Sequence, residues 1–110
     1  MKITEIKKGS ALVLNIEGRL DTTNYGILES KLNDIYDHKP VNIIMDCKGL
    51  DYVSSSGLRV LLMFLKKAKA SKVSFALCNL QDSIKEIFDI SGFTSIFEIY
   101  DNQEEALEKY

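Results

Sequence analysis

The stretch VNIIMDC (Val41–Cys47) is almost unbroken in branched and apolar side chains. That is the pattern of a strand covered on both faces, not of one alternating between core and water. Such a strand needs layers packed against it, and its flanks supply them. Upstream, Tyr25, Leu28, Leu32, Ile35 and Tyr36 recur at steps of three and four, which predicts an amphipathic helix over 25–38 that Pro40 ends. Thr22, Thr23 or Asn24 is placed to cap it. Downstream, a loop KGLDYVSSSG (48–57) leads into a second helix expected over Ser56–Ala70, and KVSFALCN (72–79) reads as another strand.

QDSIKEIFDISG (81–92) predicts a third helix with Ile84, Ile87, Phe88 and Ile90 inward and Gly92 as its C-terminal cap. FTSIFEIY (93–100) reads as a last strand, and Asp101, three residues before Glu104, as a capping box opening a short fourth helix. Ahead of all these, MKITEIKK and ALVLNIEG, joined by KGS (8–10), form a hairpin pattern. Strands alternating with helices after an opening hairpin predict an α/β fold. Its sheet is mixed and mostly parallel, with an N-terminal β-hairpin, right-handed crossovers and about four helices.

Composition narrows what such a fold does. A length of 110 residues is that of one domain, expected over 1–110. Fourteen Lys and Arg against sixteen Asp and Glu leave a net charge of −2, which gives no footprint for direct nucleic-acid binding. The cluster Lys66, Lys67, Lys69 and Lys72 falls at a predicted helix end, where cations oppose the helix dipole. Cys47 and Cys78 lack metal or redox spacing and read as buried, reduced thiols. The longest apolar run, Val60–Leu65, is too short for membrane insertion, so the expected setting is cytoplasmic.

The three serines Ser54, Ser55 and Ser56 ahead of Gly57 are the unusual feature. They sit where a strand's carboxyl end hands over to a helix, the edge at which α/β proteins bind ligands and partners. One of them suffices as a helix N-cap. A hydrolytic serine lacks its partners here: no glycine precedes it in the G-x-S-x-G manner, and the one histidine, His38, is expected at the far end of the sheet. No phosphate-binding glycine motif is present, and Asp46 and Asp51 read as solvated charges rather than metal ligands. What remains is a hydroxyl offered for modification, where a phosphate would alter binding more than folding. The run Leu58–Leu65 is too apolar for a single stripe, so the helix is either buried all round or keeps side chains for a partner.

The stretch DYVSSSGLRVLL (51–62), with EGRLDTTN (17–24) and IKEIFDISGFTSIFEIYDNQEEAL (84–107), resembles bacterial anti-sigma factor antagonists, which are stand-alone STAS domains. The resemblance spans essentially the whole chain. It implies a STAS-like fold, no catalysis and no cofactor. It further implies that the unphosphorylated protein binds an anti-sigma factor with serine kinase activity and thereby regulates sigma-factor-dependent transcription. The kinase phosphorylates and expels its antagonist, and a serine phosphatase restores it.

The family's acceptor lies two residues before the glycine, which is Ser55, with Ser56 and Ser54 as lesser candidates. Ser54 stands where an aspartate is usual. The resemblance places partner contacts at Asp21, Thr22, Thr23, Asn24, Ser54, Ser56, Gly57, Leu58 and Arg59; helix capping competes for the first four, and a solvated charge for Arg59. The alternatives are a constitutive STAS scaffold in a transporter or stressosome-like complex, with serines that only cap a helix, and a small hydrolase using Ser55 or Ser56. Self-association is left open.

Overall fold

The computed structural model describes residues 1–110. Strands β1 (Lys2–Lys8) and β2 (Ala11–Leu20) form the opening hairpin, turning through Gly9 in the left-handed region. There follow α1 (Tyr25–His38), β3 (Asn42–Val53), α2 (Ser55–Ala70), β4 (Phe75–Cys78), α3 (Asp82–Ile90), a 3-10 turn (Phe93–Ser95), β5 (Glu98–Tyr100) and α4 (Gln103–Leu107). The sheet runs β1-β2-β3-β4-β5, with β1 antiparallel to β2 and all other neighbours parallel. This is the mixed α/β architecture that the alternation predicts.

Because strand order never reverses, right-handed crossovers put α1, α2 and α3 on one face. Alternation along the strands sorts the side chains to match. Leu14, Ile16, Ile43, Met45, Phe75 and Leu77 meet Leu28, Leu32, Leu61, Phe64, Ile84 and Phe88 in one large core. Val13, Ile44, Ala76 and Cys78 point the other way, where short α4 covers them through Ala106. The near-continuous apolar run of β3 follows from this double cover. Cys47 and Cys78 are free and buried, each in a different core, and burial pushes both thiols up, Cys78 to about 12.

Several boundaries differ from the sequence reading. β3 continues through Val53 because β2 keeps pairing with it past two register shifts (Glu17 with Gly49, Arg19 with Tyr52, Leu20 with Val53), so most of the expected loop is strand. The strand expected over 72–79 contracts to Phe75–Cys78. The strand expected over 93–100 contracts to Glu98–Tyr100, since Phe93 accepts from the N–H groups of Ile96 and Phe97 in a helical turn. That turn sets Phe93 and Phe97 edge-to-face against Phe88 at 6.0 and 5.5 Å between centroids.

In α3, Ile84 and Phe88 are buried, but Ile90 is 79% exposed, lying off the inward stripe. Asn102, not Asp101, caps α4 by accepting from Glu105 N–H at 2.9 Å. Asp46 is not a solvated charge: it is 7% exposed and accepts from Lys48 N–H (3.0 Å), Asn79 Nδ2 (3.2 Å) and Gln103 Nε2 (2.8 Å). Those donors replace the water a carboxylate loses on burial, and the Gln103 bond fastens α4 to the sheet. No helix is long and apolar enough to cross a membrane.

Candidate functional site

Two connections leave neighbouring parallel strands at the sheet's carboxyl edge, and together with the first turns of α2 they carry the phosphorylation and partner-contact residues singled out from the sequence. In the β2–α1 turn, the Asp21 carbonyl accepts from Asn24 and Tyr25 N–H, starting α1 without any side-chain cap. The expected capping by Thr22, Thr23 or Asn24 is therefore absent. Asn24 instead accepts from Asp21 N–H (2.9 Å) and donates to the Arg19 carbonyl (2.8 Å). Asp21 Oδ1 accepts from the Thr23 hydroxyl (2.6 Å) and N–H (3.0 Å), while its Oδ2 lies 3.5 Å from Arg19 Nε. The Thr23 bonds, with Arg19 adding less, hold the Asp21 carboxyl below the usual aspartate range. Thr22 is exposed.

At the β3–α2 junction, Ser54 has extended backbone and is the N-cap of α2. Its N–H donates to the Leu20 carbonyl (2.9 Å), and its hydroxyl accepts from Gly57 N–H (3.2 Å). Serine and aspartate are both strong N-caps, so serine keeps this bond where the resemblance expects aspartate. The helix then begins at Ser55, one residue earlier than expected. Neither the Ser55 nor the Ser56 hydroxyl has a hydrogen-bond partner within the chain, but Ser55 is exposed whereas Ser54 and Ser56 are half-buried. Gly57 is buried, and a Cβ there would lie 2.8 Å from Leu20 Cγ and 3.2 Å from the Leu20 carbonyl. The glycine thus brings the two connections into contact.

Beyond the junction, Val60, Leu61, Phe64 and Leu65 are buried, Leu58 and Leu62 half-buried, and Met63 is 46% exposed. Full burial of this run thus fails partly at Leu58 and Leu62 and most clearly at Met63. Sequence reasoning also missed a feature of this edge: the Arg19 guanidinium lies over the Tyr52 ring at 4.1 Å. Stacking of this kind stabilises by about 0.5–1 kcal/mol at exposed sites. The residues are cross-strand partners, a pairing visible only once the register is known.

None of the three clefts is lined by Ser54, Ser55 or Ser56; the largest, about 620 Å³, lies on the other face of the sheet beside Asn15, Asp46 and Lys48. His38 ends α1 just ahead of the amino end of β3, whereas the serines follow its carboxyl end. No group of three or more His, Cys, Asp or Glu converges anywhere as a metal site would require. An exposed hydroxyl outside every cleft suits contact with a macromolecule better than enclosure of a small substrate.

A family model described as "STAS domain" matches residues 2–106. The "Putative anti-sigma factor antagonist BtrV" of Bordetella bronchiseptica is 35% identical over 106 residues, covering 96% of this chain and 91% of that protein. The "Anti-sigma F factor antagonist" of Paenibacillus polymyxa is 27% identical over 97 residues, covering 87% and 83%. Among solved structures, the Bacillus cell fate determinant SpoIIAA in its phosphorylated form superposes with a TM-score of 0.75 at 20% identity, over 98% of each chain. At that identity the likeness speaks for the fold.

Proposed function

The chain belongs to the STAS domain family, and from that premise we propose that it is an anti-sigma factor antagonist whose partner binding is switched by phosphorylation of Ser55. The observation that carries the reading is the inequality of the three serines: Ser54 caps the helix, Ser56 is half-buried, and Ser55 alone presents an exposed, unengaged hydroxyl. Relatives named as anti-sigma factor antagonists supply the partner class. On this reading the protein acts as a single binding domain in the cytoplasm, without catalysis of its own.

The partner is an anti-sigma factor that is also an ATP-dependent serine kinase. In the transfer, Ser55 Oγ bonds to the γ-phosphorus of ATP, the bond from that phosphorus to the β,γ-bridging oxygen breaks, ADP leaves, and a base of the kinase takes the hydroxyl proton. A phosphatase adds water across the phosphoserine bond and returns serine and inorganic phosphate. The new group brings about −1.5 to −2 charges. Its place on the exposed rim makes the change fall on the docking surface, whose further contacts are assigned to Asp21, Thr22, Thr23, Asn24, Ser54, Ser56, Gly57, Leu58 and Arg59.

Paired baits test the proposal: wild type and Ser55→Asp, exposed to host lysate, with captured proteins identified by mass spectrometry. Retention of an ATP-binding anti-sigma factor by wild type, and its loss by Ser55→Asp, is the expected result; Ser55→Ala retains the partner and resists modification. Recovery of the same partners by both baits, transporter subunits above all, would overturn the switch in favour of a constitutive scaffold.

A further inference from the structure

Resting on the assignment of Ser55 as acceptor, we propose that Arg59 is the intrachain receiver of the phosphate. Modification pulls its guanidinium into an ion pair one helical turn away and so withdraws it from the partner surface. The exposed residues of the first turns of α2 are Ser55, Arg59 and Met63, at steps of four. Residues so spaced are neighbours on a helix surface, and an anion four residues before a cation is the favourable order.

Two arginines stand at this edge, and their situations differ. Arg19 is already engaged, over Tyr52 at 4.1 Å and beside Asp21 at 3.5 Å. Arg59 takes part in none of the chain's three ion pairs, and its side chain makes no hydrogen bond. Asp21 lies on the turn braced against α2 through Leu20 and Gly57, and Asp51 two residues before the end of β3. Both carboxylates repel a phosphate, which leaves Arg59 as the free cation in line with it.

Arginine pairs with phosphate through parallel hydrogen bonds, which makes it a directional receiver rather than a diffuse counter-charge. Before modification, a partner meets a hydroxyl, a free cation and the Met63 thioether in one stripe. Afterwards it meets an anion, and the cation is occupied. A partner offering a carboxylate to Arg59 thus loses that contact and gains a repulsion from a single modification.

The test uses protein with phosphoserine installed at position 55 during synthesis, so that no kinase is needed, and follows its second ionisation by 31P NMR. In wild type the pKa falls below its ordinary value of about 6. Arg59→Gln raises it by roughly 0.15–0.4 pH units, Arg59→Lys lies between, and Arg19→Gln moves it by less than half as much. Arg59→Gln titrating as wild type, or Arg19→Gln producing the larger shift, would overturn the assignment. Either result leaves the Ser55 switch standing, because partner retention reads that separately; a kinase that ignores Ser55 would sink the switch and leave this titration readable.

Discussion

The turn from β2 into α1 and the junction from β3 into α2 leave the same edge of the sheet, yet they treat their polar side chains in opposite ways. In the first, Asp21 is engaged by Thr23 and Arg19, and Asn24 by Asp21 and Arg19. In the second, Ser54 caps the helix and the next hydroxyl, Ser55, is left without a partner. A turn that satisfies itself is a brace. A turn with a surplus group on an exposed rim has something to offer another molecule, and that surplus separates function from helix initiation here.

The comparison breaks first at Leu20, which is fully buried, accepts from Ser54 N–H and packs on Gly57. Leu20→Ala is expected to cost about 2–5 kcal/mol in urea denaturation; a loss under about 1 kcal/mol would mean that the two connections do not share a brace. Gly57→Ala comes next, at roughly 1–3 kcal/mol, because its Cβ crowds Leu20. The contrast between serines is sharper though smaller: Ser54→Ala costs about 1 kcal/mol as a lost cap, Ser55→Ala stays within about 0.5 kcal/mol, and Ser54→Asp keeps the cap. Equal losses at Ser54 and Ser55 would make both structural.

The smallest effect concerns Thr23, whose bonds depress the Asp21 pKa. A carboxyl depressed in the folded state contributes stability that is present above its unfolded pKa and is lost as pH falls through the folded value. Thr23→Ala should raise the Asp21 pKa toward the ordinary range, read by carboxyl 13C titration, and any destabilisation seen at neutral pH should fade in acid. An unchanged titration would show that Thr23 does not hold this carboxylate.

Much of the architecture is legible in the chain because its signals are local. Steps of three and four place α1, and the apolar run of 41–47 places the interior of β3. The serine-rich junction is likewise visible as hydroxyls in excess of what one helix cap needs. The misreadings occur where a distant partner decides. β2 extends β3 through residues that look like a loop, Phe88 gathers Phe93 and Phe97 into a turn, and Asn79 and Gln103 make a buried position tolerable for Asp46. The β2–α1 turn misleads for a related reason, since its cap-forming side chains bond across the turn to Asp21 and Arg19 instead of to the helix.

By itself, the sequence determines the order and kind of the main elements, the opening hairpin, the helix with its serine start and the two buried thiols, since each follows from periodicity, turn chemistry or hydrophobicity over a few residues. Only the tertiary structure decides which of the surplus serines is exposed, which arginine remains free and where Tyr52 stands. Those depend on the register between β2 and β3 and on the close approach of Gly57 to Leu20, contacts between residues more than thirty positions apart in the chain.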